Sequence, residues 1–173
     1  DRRHDVEVFT LRGEKLRTIG TRGPDPGQFN FPVNVAVDGA GNLYVADMLN
    51  FRVQVFDPEG NLVAFFGQVG TAGPGNFQKL KGPACDSFGI LHAVDSESGL
   101  VQMFNPRHQP LMAYAGRANR AGFMLVPGAI AIDSANRIFV ADYAADRVNQ
   151  YELFDTTAAD SVGGDADDLL VAL

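Results

Sequence analysis

Apolar and polar positions alternate in short, evenly spaced runs along "VNVAVDGAGNLYVADMLNFRVQVFDPEGNLVAFFG" (33 to 67). The alternation predicts four strands, a (35 to 37), b (43 to 46), c (53 to 56) and d (62 to 66), and no helical periodicity competes with it. Strands a and b are joined by "DGAGN", c and d by "DPEGN". Pro at the second turn position presets φ and Gly near the end accepts a positive φ, so both links predict tight antiparallel turns.

The pattern then repeats. Aligning Asp38, Asp86 and Asp133 stacks "VDGAGNLYVAD" (37 to 47), "CDSFGILHAVD" (85 to 95) and "IDSANRIFVAD" (132 to 142) at steps of 48 and 47 residues. Downstream, "RVQVF" (52 to 56) faces "LVQMF" (100 to 104) and "RVNQY" (147 to 151), and "DVEVFTLRGEKLRTIG" (5 to 20) repeats "RVQVFDPEGNLVAFFG" (52 to 67). Four antiparallel strands in a repeat of this length describe a β-propeller blade. The expected fold is therefore all-β: strands c and d of one blade (1–20), a complete blade (21–67), a complete degenerate blade (68–116), a blade without strand d (117–154), and an acidic tail with an apolar end (155–173).

"FNFPVNVAVDGAGNLYVADMLNFRVQVFDPEG" resembles the NHL repeat in its F-x-x-P lead, its apolar strand ending in Asp, its Gly-Asn turn, its "YVAD" and its "NFRVQVF". The copy at 122 to 151 keeps Pro127, Asp133, "FVAD" and Arg147-Val148. The copy at 82 to 110 has "HAVD" and Leu100 where the Arg belongs, and Asp5 takes that Arg position in the first fragment. The resemblance implies a six-bladed propeller of roughly 280 residues, of which about three and a quarter blades are present. An open stack of blades exposes apolar end faces, so the array is expected to be part of a larger chain, a cleaved half, or a self-associating array, the first being the leading expectation. The missing fourth strand of the last blade is expected from the far end of a complete ring, with "LLVAL" (169 to 173) folding back, or a partner-binding acidic tail, as the alternatives.

Asp47 ends strand b and Arg52 begins strand c, and Asp142 and Arg147 repeat the pair. An Arg fork satisfies a carboxylate and backbone carbonyls together, so the pairs are expected to form a structural latch at one rim, the alternative being a ligand-facing charge ring. Asp95 has lost its Arg and is expected to be free for other contacts. The same rim carries unusual apolar side chains, Met48, Leu49, Phe51 and Tyr143, which mark a partner site; packing of Phe51 and Leu49 under the adjacent loop is the competing reading. Arg22, Lys79, Lys81, Arg117 and Arg120 fall in the d-to-a segments at that rim as further contact candidates.

Charge and chemistry narrow the function. The formal charge is −7, but five Asp lie beyond residue 154 with no Lys or Arg, leaving 14 basic against 16 acidic residues before them. That near-neutral body argues against single-stranded RNA binding, which the resemblance offers as a second alternative. Some propellers similar to NHL arrays are lyases or hydrolases with a metal held by several His. Here His4, His92 and His108 fall in a rim loop, a strand and the opposite rim, too far apart for one ion, and a catalytic zinc needs three ligands. Cys85 is the single cysteine and is expected to be a small buried side chain. "GTAGPG" (70 to 75) precedes no helix, and "DADD" (165 to 168) lacks a calcium-loop register. No apolar run reaches the 18 residues of a membrane span. These observations favour a non-catalytic protein-interaction scaffold without cofactor, partnered by another chain or by the rest of the propeller. The lyase or hydrolase reading is the alternative. The resemblance leans toward an extracytoplasmic setting.

Overall fold

The computed structural model describes residues 3 to 153. The tail at 155 to 173, with its proposed strand "LLVAL" and its "DADD", lies outside the described residues. Thirteen strands build four successive sheets. The first sheet pairs β1 (Val6–Phe9) with β2 (Lys15–Ile19). After a short parallel pair, β3 (Thr21–Arg22) with β4 (Gln28–Phe29), the second sheet runs β5 (Pro32–Val37), β6 (Leu43–Asp47), β7 (Arg52–Phe56) and β8 (Leu62–Phe66) in chain order. A second parallel pair, β9 (Gln68–Val69) with β10 (Asn76–Phe77), leads into β11 (Leu80–Cys85), β12 (Leu91–Asp95), β13 (Leu100–Phe104) and β14 (Pro110–Ala115). The last sheet has three strands, β15 (Pro127–Ile132), β16 (Ile138–Asp142) and β17 (Arg147–Tyr151). All pairings within these sheets are antiparallel. The fold is that of propeller blades.

Two details depart from the sequence expectation. Strand a begins at Pro32, three residues early, and Asp47 and Arg52 lie inside the ladder as a directly opposed pair. Each strand a is bulged at its second residue, Val33, Lys81 or Gly128. The two-residue parallel pairs inside the d-to-a segments, β3 with β4 and β9 with β10, have no hydrophobic run to announce them.

The turns follow from the repeated Asp. Asp38 Oδ1 accepts the backbone N–H groups of Ala40 and Asn42, each at 2.9 Å, which closes the a-to-b turn with a side chain in place of a ladder bond. Asp86 and Asp133 do the same with Phe88 and Ile90, and with Ala135 and Arg137. At the other rim the residue before the Arg52 position is left-handed in all four copies: His4 (φ 55°), Phe51 (56°), Gly99 (71°) and Asp146 (51°). A non-glycine side chain there costs about 1 kcal/mol, so the tight b-to-c turn imposes this conformation whichever residue occupies it.

The core lies between blades. Ile19, Phe29, Val45 and Phe56 form the first seam; Tyr44, Ala46, Val53, Val55, Phe77, Leu80, Leu91, Ala93 and Phe104 form the second; Val94, Val101, Met103, Tyr114, Met124, Ile138, Val140 and Tyr151 dominate the third. One residue from each d-to-a segment plugs each seam. Phe29, Phe77 and Met124 stand at the same repeat position and are all 0% exposed. Burying such a side chain contributes about 1.5–3 kcal/mol. The aromatic lead of the F-x-x-P motif is thus a wedge, and Gly67 must lack a side chain because a Cβ there would sit 2.8 Å from the Phe77 ring. Since β11 packs beside both β5 and β15, the a strands form the inner layer and the d strands the outer one.

Candidate functional site

The b-to-c rim is organised by buried charge. In the second blade Asp47 is 0% exposed; its Oδ2 accepts from Arg52 Nε at 3.0 Å and Asn50 Nδ2 at 2.8 Å, and its Oδ1 accepts from the Asn30 N–H at 2.6 Å. Arg52 Nη2 donates to the carbonyls of Asp25 and Gln28, both at 2.8 Å. The network therefore ties strands b and c to the preceding d-to-a segment. Gln54 completes it: Nε2 donates to Gln28 O at 2.6 Å and Oε1 accepts from the Gly27 N–H at 2.8 Å. Gln54 is not among the residues expected at this site, although the third residue of "RVQVF", "LVQMF" and "RVNQY" is an amide each time.

The other blades vary this arrangement. Asp142 accepts the N–H groups of Leu125 and Val126 at 2.8 and 2.9 Å, and Arg147 Nη2 reaches Phe123 O at 2.7 Å but only 3.7 Å from the carboxylate. Arg147 Nε and the shorter Asn149 amide nitrogen are left buried without a hydrogen-bond partner. In the third blade Asp95, expected to be free, is instead 1% exposed. Leu100 offers it no cation, so its oxygens take four backbone N–H groups, from Gln78, Lys79, Glu97 and Ser98, at 2.6 to 3.1 Å. Gln102 keeps the Gln54 contacts, to Asn76 O and the Gly75 N–H.

The apolar rim candidates divide. Tyr143 is 60% exposed above Gly128, and Leu49 is 46% exposed on the 3-10 turn Met48–Asn50. Met48, at the repeat position of Tyr143, is half-buried. Phe51 packs against the second seam. Among the cations Arg22 and Lys79 are exposed, Lys81 sits half-buried at the bulge of β11, and Arg120 lies 4.0 Å above the Phe123 ring. Arg117 pairs with Glu97 at 3.4 Å. Asp25, Glu97 and Asp146 are exposed among them, so the rim is mixed in sign.

The histidines stay apart. His4 Nδ1 accepts the Phe31 N–H at 2.8 Å at the b-to-c rim. His108 stacks on Phe66 at 5.2 Å at the opposite rim. His92 is 0% exposed in the third seam, with Nδ1 3.2 Å from the Tyr114 hydroxyl and Nε2 3.4 Å from Asp86 Oδ2. Burial pushes the pKa of His92 and of His108 below the ordinary 6.5, with Asp86 and Asp38 respectively opposing the shift. Burial likewise pushes the Cys85 thiol up to about 12, which suppresses its nucleophilic thiolate. Among the described residues, no three His, Cys, Asp or Glu side chains gather as a metal-binding group.

Comparison with known proteins places one copy of the repeated strand pattern in a known family. The profile of the NHL repeat matches residues 29–56, from the Phe29 wedge to the end of β7. This is an NHL-repeat chain. It is similar to the B-box type zinc finger protein ncl-1 of Caenorhabditis elegans, 30% identical over 137 residues covering 79% of this chain and 16% of that protein. It is also similar to the human E3 ubiquitin-protein ligase TRIM32, 45% identical over 47 residues covering 27% of this chain and 7% of that protein. Human NHL repeat-containing protein 3 is 48% identical over 55 residues, 32% of this chain and 14% of that protein. The NHL chain therefore spans less than a fifth of the length of these relatives. Among solved structures, the RRP9 WD40 repeats match with a TM-score of 0.68 at 15% identity, over 86% of this chain and 42% of that one. A streptogramin B lyase matches at 0.62 and 10% identity, over 85% and 44%. At these identities the likeness is one of propeller fold. No helix among the described residues is long and apolar enough to cross a membrane.

Proposed function

We propose that this NHL array is a non-catalytic interaction scaffold, part of a six-bladed propeller, whose b-to-c and d-to-a rim receives a partner protein. The observation that carries the reading is the division of that rim. Asp47 and Asp142 have no exposed surface and bond to the chain's own loops, while Leu49 and Tyr143 point large apolar area to water. Exposed apolar groups beside a rigid frame are the usual anchors of protein contacts. The Asp47–Arg52 and Asp142–Arg147 pairs serve as structural latches that make the frame rigid. Met48, Arg22, Lys79, Lys81, Arg117 and Arg120 surround the anchors as peripheral contacts.

The ring is completed by further blades, from the same polypeptide or another. Supporting this, Phe139, Ala141 and Val148 of the last blade occupy the repeat positions of Tyr44, Ala46 and Val53, which the next blade buries. Val148 is 63% exposed. The lyase reading has only fold similarity behind it, and the mixed-sign rim weakens the RNA reading. A photo-crosslinking side chain placed at 49 or 143 in the source organism is expected to capture a discrete protein that the same group at Phe88, on the opposite rim, does not. Equal capture at all three positions, or none, overturns the rim as the interface.

A further inference from the structure

The second and third blades differ at one outward-facing slot. In the second, the slot beside β7 and β8 is filled by the Arg52 guanidinium and covered by Phe65, whose ring centre lies 5.7 Å from the guanidinium carbon. The pairing register places Leu100 where Arg52 stands, opposite Asp95 as Arg52 is opposite Asp47. It places Ala113 where Phe65 stands, opposite Gln102 as Phe65 is opposite Gln54. Both fillers are cut short in the same blade. The result is a cavity of about 250 Å³ lined by Pro74, Leu100, Gln102, Leu111, Met112 and Ala113.

The cavity does not end there. A second hollow, lined in part by Phe66, Phe104 and His108, shares Pro74 and Pro110 with it, so the two adjoin along the outer side of the junction between the second and third blades. Leu111 and Met112 present 51% and 47% of their surface to it and to solvent. Strand β14 is the outermost of its sheet, and no described strand pairs with its free edge. The one polar wall, Gln102, already uses both ends of its amide, and Asp95 is satisfied by backbone N–H groups. The slot therefore selects an apolar group rather than a cation.

We propose that this cleft binds an extended peptide segment of a partner protein, which adds along the free edge of β14 and seats one aromatic side chain in the slot that Phe65 covers in the preceding blade. Main-chain pairing would supply affinity and the slot specificity, the division of labour usual in strand addition. The occupant's chemistry is read from the molecule itself: the repeat that fills this slot closes it with a phenyl ring.

The chain's four methionines are reporters for the test. Met112 lines the cleft, Met48 lies on the rim, and Met103 and Met124 are buried. In the full chain labelled with 13C-methyl methionine, the peptide acetyl-Val-Thr-Phe-Thr-Val-amide is expected to shift the Met112 methyl saturably and leave Met48 in place. Replacing its Phe by Ala or Arg is expected to weaken binding by about tenfold or more, as loss of a buried anchor does. Ala113→Phe refills the slot and is expected to abolish the shift, with unchanged Met103 and Met124 signals showing that the seams are intact. A shift that survives Ala113→Phe, an Arg peptide that binds as well, indole binding as tightly as the peptide, or no saturable shift each overturns the proposal. Leu49→Ser and Tyr143→Ser are expected to leave the titration unchanged, so failure here is separable from failure of the rim as an interface.

Discussion

The second and third blades share a backbone and solve its electrostatic problem differently. Both bury a carboxylate at the end of strand b, Asp47 at 0% and Asp95 at 1% exposure. The second neutralises it with Arg52, side-chain amides and one backbone N–H, that of Asn30; the third, with Leu100 in place of Arg, wraps it in four backbone N–H groups. A buried anion tolerates either solution, because either supplies hydrogen bonds to the charged form. The buried Asp is common to all three blades with a strand b, whereas the Arg gives way to Leu100 where the loop presents its amides. The replacement leaves behind a vacant apolar cleft on the outside of the third blade.

Four measurements test this contrast between the blades. The largest effect is expected at the wedge between the two blades: Phe77→Ala removes a fully buried ring, at a cost of about 3–5 kcal/mol in urea unfolding. A cost under 1 kcal/mol would mean that the seam collapses around the vacancy. Next, Arg52→Leu, which copies the third blade into the second, leaves Asp47 without a cation and strips a donor from two carbonyls. Loss of one partner of a buried pair costs about 3–5 kcal/mol, and the lower end is expected because the Arg52 side chain is 9% exposed. If hydrogen exchange finds no added opening of residues 20 to 31, the latch role fails.

A smaller effect separates the seams by pH. Tyr44 in the second blade bonds Asp38 through its hydroxyl, and burial with the Asp38 charge raises its pKa, so it stays neutral throughout the acid range. Its counterpart His92 is packed with Asp86 and Tyr114 and has a pKa lowered by burial. A base whose folded pKa lies below its unfolded value of 6.5 binds protons preferentially when unfolded. Its stability contribution is therefore complete above pH 6.5 and declines as pH falls below it. His108 acts with the same sign in the second seam. His92→Tyr is expected to flatten the acid slope of the melting temperature between pH 7 and 5, and an unchanged slope would assign it elsewhere. The smallest effect is expected from Arg117→Ala, whose ion pair with Glu97 is 52% exposed on each side, at about 0–1 kcal/mol. A larger loss would give that surface pair a structural role.

The legibility of the candidate site varied residue by residue. Asp47, Arg52, Asp142 and Arg147 could be read because they recur at a fixed step next to strand ends. Gln54 recurs too, but a polar residue in the middle of a strand reads as a solvated face until the neighbouring loop is seen to cover it. The setting of Asp95 is not legible in the sequence, because charge pairing considers side chains alone, whereas its donors are backbone N–H groups from two loops. For Phe51 the sequence leaves exposure at the rim and packing under the adjacent loop as alternatives, and the structure packs it against the second seam.

The number, order and antiparallel pairing of the blade strands are legible in the sequence, since alternation and turn chemistry are local and recur nearly four times over. So are the residues that end each turn, because Asp and Gly act within a few positions of themselves. What packs between strands, loops and blades emerges only from the folded arrangement. The wedges at Phe29, Phe77 and Met124, the backbone cradle of Asp95 and the cleft beside Leu100 and Ala113 each join residues from separate strands, loops or sheets. Burial there depends on how one blade rests on the next, a relation that no single stretch of chain contains.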